Sequence, residues 1–166
     1  VRKKRNYKNV NELKNKGAIL FEGAFYDRDF LGRIFHEFPI RSVIHAAALR
    51  GGGAGTKRDY HRINVFGTEA LLDVSFENQV KEFIFFSSVG VFGTIPKELP
   101  ANILTEFNGD NAYHASKILA EKKAVEFMEK GLNVLIIRPA ITYGRGDDGF
   151  SKTLVELVRK KLLLIP

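Results

Sequence analysis

Glu82-Phe-Ile-Phe-Phe-Ser87 places four consecutive apolar residues between polar ends, without alternation of apolar and polar positions. A short run of this kind, aromatic and β-branched, reads as a strand buried on both faces, which is what a parallel sheet asks of its strands. Three further runs share the pattern: Ala18-Ile-Leu-Phe-Glu22, Ser42-Val-Ile-His-Ala-Ala47 and Asn133-Val-Leu-Ile-Ile-Arg138. Between them the apolar spacing becomes helical. Asp27 stands as a cap ahead of Phe30, Leu31, Ile34, Phe35 and Phe38. Further helices are expected over about 58 to 78, 112 to 130 and 150 to 161, with Gly17 and Gly131 where C-caps belong. Strand and helix in alternation imply right-handed βαβ crossovers, so the expected fold is α/β with a doubly wound parallel sheet.

The composition agrees with such a core. The chain has 166 residues, 45% of them hydrophobic, which suits one ordinary domain or a piece of one. It contains no Cys, which removes disulfides, thiolate metal sites and thiol nucleophiles together. No apolar run approaches the roughly 18 residues of a membrane span. The formal charge of +7 is unevenly spread. Residues 1 to 16 hold seven basic side chains and one acid, so six of the seven net charges lie there and the body is nearly neutral. The start at Val1 and the stop in Leu162-Leu-Leu-Ile-Pro166 read as those of a fragment cut from a longer chain.

In doubly wound folds ligands sit beyond the carboxyl ends of the strands, so the residues after each run are the chemical ones. These exits read His45-Ala-Ala-Ala48, Ser87-Ser-Val-Gly-Val-Phe-Gly93 and Arg138-Pro-Ala-Ile-Thr-Tyr-Gly144, rich in small residues that leave room for a flat ligand. Tyr113-His-Ala-Ser-Lys117 opens a predicted helix, and the i, i+4 spacing puts phenol and ammonium on one face. A nearby cation favours a phenolate, so Lys117 could help Tyr113 serve as a base. Ser88, at a strand exit, could hydrogen-bond the same substrate oxygen.

With these motifs in order along nearly the whole chain, the sequence resembles the extended short-chain dehydrogenase/reductases, the NAD(P)-dependent epimerase/dehydratase group. The matching segments are Phe21-Glu-Gly-Ala-Phe-Tyr-Asp27, Val43-Ile-His-Ala-Ala47, Asn64-Val-Phe-Gly-Thr68, Ser87-Ser88 with Val91-Phe-Gly93, Tyr113 with Lys117, and Arg138-Pro139 with Tyr143-Gly144. The resemblance implies a Rossmann-like NAD(P)-binding domain over 1–166, its central part, with no second domain in this chain. It implies Ser88, Tyr113 and Lys117 as the catalytic set, Tyr113 moving the proton and Lys117 holding the nicotinamide ribose. Ala24, Phe25, Ala46, Ala47, Asn64, Ser87, Pro139 and Ala140 match positions that line the cofactor, together with Tyr113 and Lys117. Arg2 and Lys3 fall where the family reads the adenosine ribose; a basic residue there accommodates a 2′-phosphate, so NADP is favoured over NAD. The glycine-rich turn of the family is not found in the sequence, and Ala24 replaces the acid that contacts adenine.

The implied activity is that of an oxidoreductase or epimerase acting on a secondary alcohol or ketone, such as that of a nucleotide sugar. Hydroxysteroid dehydrogenase-like or other carbonyl reduction and a non-catalytic NADP-binding sensor are the alternatives. Val89 and Gly90 stand where the family's dehydratases carry an Asp-Glu pair, which disfavours dehydration. A cytoplasmic homodimer is expected, with Leu71, Leu72, Ala120 and Phe127 as compatible contacts of a four-helix bundle, although the sheet also needs apolar helix faces. Other features read as ordinary structure. Gly51-Gly-Gly-Ala-Gly55 lacks the ending of a phosphate loop and reads as a flexible loop. His36, His45, His61 and His114 show no metal-ligand spacing; His45 reads as packed at a strand end and His114 as solvated. Phe83, Phe85 and Phe86 read as core, and Arg159-Lys160-Lys161 as a helix C-terminus. The basic start lacks interleaved aromatics beyond Tyr7, so nucleic acid is not the expected partner, and no membrane partner is expected either.

Overall fold

Three of the four apolar runs form strands. A computed structural model describes residues 10–50, 55–144 and 150–162. In it β1 (Ser42–His45), β2 (Glu82–Phe86) and β3 (Val134–Ile137) form one parallel sheet in the order β1-β2-β3. The helices are α1 (Val10–Asn15), α2 (Arg28–Glu37), α3 (Lys57–Tyr60), α4 (Gly67–Glu77), α5 (Ala112–Glu129) and α6 (Phe150–Arg159). A π-helical stretch, His61–Phe66, fuses α3 to α4, and a 3-10 turn, Val89–Phe92, follows β2.

Helix limits follow local chemistry. Asp27 caps α2 by accepting from the backbone N–H of Asp29 and Phe30, a contribution of about 1 kcal/mol. Thr56 and Asp59 form a reciprocal capping box at α3, and Asn111 caps α5 through the His114 N–H. Gly17 and Gly131 take φ of +84° and +101° beyond α1 and α5, conformations that side chains avoid.

Ala18–Glu22 departs from expectation. A strand is defined by hydrogen bonds to a neighbour that may lie anywhere in the sequence, and no described strand runs beside these residues. Ile19, Leu20 and Phe21 are exposed, with Phe21 edge-on to Phe38 at 5.5 Å. Burial on both faces of the sheet is also not observed. The aligned row Val43, Phe83 and Val134 packs into a core with Leu31 and Phe35 of α2, Leu72 and Val74 of α4, and Ala120, Ala124 and Phe127 of α5. The adjacent row, Ile44, Ile84 and Leu135, lies on the other face, where Ile44 is 66% and Leu135 57% exposed.

That packing corrects the expected dimer contacts. Leu72, Ala120 and Phe127 are fully buried inside this chain, and Leu71 is partly buried against them. Apolar positions on α4 and α5 serve the sheet first. A large side chain such as Leu72 or Phe127 contributes about 1.5–3 kcal/mol by leaving water, which sets α5 firmly beside the exit of β2. Among the described residues no helix is long and apolar enough to cross a membrane.

Candidate active site

All three strands end on the same side, and their exits are tied together. Ser87 N–H donates to Ile137 O at 2.7 Å and Val89 N–H to Pro139 O at 3.1 Å, which holds the segment after β2 against that after β3. Beside them opens a cleft of about 770 Å³ lined by Tyr60, Ser88, Gly90, Thr94, Asn111, Tyr113, His114, Pro139, Ala140 and Ile141, among others. Ser88, Tyr113, Pro139 and Ala140 are thus brought together at this cleft.

Ser88 begins the 3-10 turn, and its Oγ accepts the Gly90 N–H at 3.0 Å. Its hydroxyl proton therefore remains available to a ligand oxygen. Tyr113 sits in the first turn of α5, its ring edge-on to Tyr60 at 6.2 Å between centroids. Tyr60 is itself fixed by donation from its hydroxyl to Arg50 O at 3.0 Å. One turn beyond Tyr113, Lys117 is buried, donating from Nζ to Phe86 O at 2.7 Å with its ammonium over the Phe85 ring. Burial pushes the Lys117 ammonium down to about 8, with Glu121 opposing the fall. His45 is buried as expected, hydrogen-bonded to Thr68 Oγ1 at 2.9 Å; burial first, then the Lys117 charge, lowers it to about 4.

A buried ion pair supports the floor of this arrangement. Glu121, 2% exposed, receives Arg138 in bidentate contact, with Nε at 2.9 Å from Oε1 and Nη2 at 2.7 Å from Oε2. The guanidinium also lies over Phe92 and Phe107. Arg138 directly precedes Pro139, so the pair anchors the β3 exit to α5.

Other sequence candidates are dispersed. Asn64 is buried with its amide committed inside the protein: Oδ1 accepts from Leu49 N–H at 2.7 Å, while Nδ2 donates to Leu49 O and to Ser116 Oγ. Phe25 packs between His45 and Gly67, whose missing Cβ leaves room for its ring. Ala24 is half-buried beside it, while Ala46 and Ala47 are exposed after β1. Arg2, Lys3 and Gly51 to Ala54 lie outside the described residues.

Ser87 Oγ is buried without a hydrogen-bond partner among the described residues. An unsatisfied hydroxyl there, beside the small residues of the strand exits, suits a polar group of a flat ligand such as a dinucleotide. Among the described residues no group of three or more His, Asp or Glu could hold a metal ion.

His114 departs from the solvated role expected of it. Its ring is turned into the cleft mouth, only 15% exposed, with Nδ1 2.5 Å from Asp110 Oδ1. The signal was readable: Asp110 and His114 are four apart at a helix start, where such pairs meet. Tyr60 and Thr94 left no comparable sign, since they reach the cleft from distant segments.

Known proteins resemble this chain in sequence and in fold. The model of the NAD dependent epimerase/dehydratase family matches residues 1–164. UDP-glucose 4-epimerase of Yersinia pestis is 34% identical over 133 residues, 78% of this chain and 39% of that protein. The Homo sapiens UDP-glucose 4-epimerase is 31% identical over 134 residues, 78% of this chain and 38% of that protein. The chain therefore spans well under half the length of these curated relatives. Among solved structures, the Bifidobacterium longum UDP-glucose 4-epimerase in complex with NAD+ and UDP has a TM-score of 0.64 at 32% identity, covering 76% of this chain and 39% of that one. The Thermus thermophilus UDP-glucose 4-epimerase complex with NAD, at 24% identity, shows the same fold with a TM-score of 0.75 over 86% of this chain and 47% of that one. The chain belongs to the NAD-dependent epimerase/dehydratase family, on a Rossmann-like parallel α/β sheet.

Proposed function

We propose that this chain carries the acid/base machinery of a nicotinamide-dependent epimerase that inverts a secondary alcohol in a UDP-hexose. The observation that carries the reading is the meeting of Ser88 and Tyr113 at one cleft, with Lys117 one helical turn beyond Tyr113. The relatives above 30% identity, named as UDP-glucose 4-epimerases, favour a nucleotide sugar over a steroid or another carbonyl substrate. Retention of Ser88, Tyr113 and Lys117 together argues against a sensor without chemistry.

When bound, a nicotinamide dinucleotide supplies reversible hydride acceptance. The residues that would hold it are Pro139 and Ala140 at the cleft, Ser87 and Lys117 behind it, and Ala46 and Ala47 at the neighbouring exit. Ser88 donates its free hydroxyl proton to the reacting oxygen of the sugar. Tyr113 takes the proton from that oxygen and returns it, and the Lys117 charge favours the phenolate during the exchange. No carboxylate stands at Val89 or Gly90 to drive loss of water, so the chemistry stops at the ketone and its reversal.

The decisive experiment changes Tyr113 to Phe in the full-length protein and follows interconversion of UDP-glucose and UDP-galactose. Turnover should be lost while dinucleotide binding persists, and full activity in the variant would remove the assignment. The cofactor is NAD or NADP, the preference for NADP resting on Arg2 and Lys3. Separate titrations with NAD and NADP, repeated with Arg2→Ala, decide between them: tighter NADP binding that depends on Arg2 supports the preference. The homodimer is proposed from exposed apolar residues of α4 and α5, such as Phe76, Leu119 and Val125, and sedimentation of the full-length protein tests it.

A further inference from the structure

The pair formed by His114 and Asp110 has no part in the chemistry above. Asp110 precedes α5, and its Oδ2 accepts the Thr94 N–H at 2.7 Å. The Thr94 hydrogen bonds, and after them the His114 contact, hold the Asp110 carboxyl down to about 2, so it is a carboxylate at neutral pH. A carboxylate oxygen 2.5 Å from His114 Nδ1 requires a proton on that nitrogen, so the Asn111 amide nitrogen, 2.8 Å from Nδ1 and 3.1 Å from the same oxygen, donates to the carboxylate and not to the ring. In the neutral imidazole this tautomer leaves a lone pair on Nε2.

That lone pair has no hydrogen-bond partner among the described residues, yet the side chain lines the cleft. Gly90 is the reason it can stand there. A Cβ at residue 90 would lie 2.5 Å from His114 Nε2 and 3.2 Å from Ser88 Oγ. The acceptor on His114 and the donor on Ser88 thus flank one point, kept free by the absence of a side chain at Gly90. A sugar ring that offers its reacting oxygen to Ser88 can present a hydroxyl from a nearby carbon to His114.

We propose that His114, held in one tautomer by Asp110, accepts a hydrogen bond from a substrate hydroxyl near the reacting carbon and so selects the hydroxylated sugar over its deoxy counterpart. The inference rests on the nucleotide-sugar reading of the cleft. His114 is the contact and Asp110 the positioning residue behind it. A merely structural role in starting α5 would alter stability without altering the choice among substrates.

The test uses the full-length protein and measures kcat/KM for a UDP-hexose and for its 2-deoxy, 3-deoxy and 6-deoxy forms. Wild type should lose about tenfold on one of the deoxy sugars, the scale of one neutral hydrogen bond. His114→Ala should lose about tenfold on the parent sugar and almost nothing more on that deoxy sugar. His114→Gln, which retains an amide acceptor, should recover part of the discrimination. Asp110→Asn can donate to Nδ1 and so transfer the ring proton to Nε2; it should narrow the same discrimination while leaving dinucleotide affinity unchanged. Equal losses of His114→Ala on the parent and every deoxy sugar, or no loss at all, overturn this inference alone. A wild-type protein that turns over no UDP-hexose overturns the function proposed above as well.

Discussion

Replacing Lys117 with Met should stabilise the protein at neutral pH while removing its activity. The ammonium is buried, and the fall of its pKa from 10.5 to about 8 corresponds to about 3 kcal/mol against the charged form. Methionine has a similar apolar length and can lie over the Phe85 ring, but it gives up the bond to Phe86 O, a loss of about 1 kcal/mol. The variant should therefore gain about 2 kcal/mol at pH 7. The sign of the pH dependence follows from the folded pKa lying below the unfolded one. The burial penalty is present in full below about 8 and is relieved as pH rises toward 10.5, so the advantage of Met should shrink across that window. Urea unfolding of cofactor-free full-length protein at pH 7 and pH 10, wild type against Lys117→Met, measures both quantities. A variant less stable than wild type at pH 7, or a difference that stays constant to pH 10, would refute the reasoning.

Glu121→Gln should cost about 3 kcal/mol in urea unfolding, because it leaves the Arg138 charge beside a neutral partner in a largely buried site. Replacing both, with Glu121→Leu and Arg138→Met, should cost distinctly less, and equal costs would show that the pair itself is not the cause. His45 has a folded pKa of about 4 below its ordinary 6.5, so wild type should lose stability as pH falls between these values, by about 3 kcal/mol in the limit. His45→Gln should flatten that part of the stability curve, as pH-dependent unfolding would register. Gly90→Ala places a methyl 2.4 Å from the His114 ring, which must swing away. Its kcat/KM on hydroxylated and deoxy sugars should then resemble that of His114→Ala.

Much of this arrangement was legible because it is encoded locally. The apolar run through Phe83, the Asp27 cap and the glycine after α5 each act within a few residues, and strands and helix ends appear where those signals stand. The Tyr113 and Lys117 spacing likewise fixes a relation along one helix. What escaped depends on distant partners. Ala18–Glu22 has a strand's composition without a ladder, and the exposure of Ile44 and Leu135 depends on what covers the sheet rather than on their own identity. The bond from Lys117 to Phe86 O joins residues 31 apart, with nothing in either to announce it. An apolar helix position such as Leu72, Ala120 or Phe127 does not say which neighbour it serves, the sheet or a partner chain. Nor does any residue type specify the π-helical turn at His61–Phe66.

Asn64 ties Leu49, on the segment that leaves β1, to Ser116 on α5 through a single buried amide. The conformational entropy of that connection is surrendered when the chain folds rather than when a ligand arrives. Ser116 Oγ in turn donates to the Tyr113 carbonyl at 2.7 Å, so the turn that carries Tyr113 is already held when a molecule enters the cleft, and more of its contact energy remains as affinity.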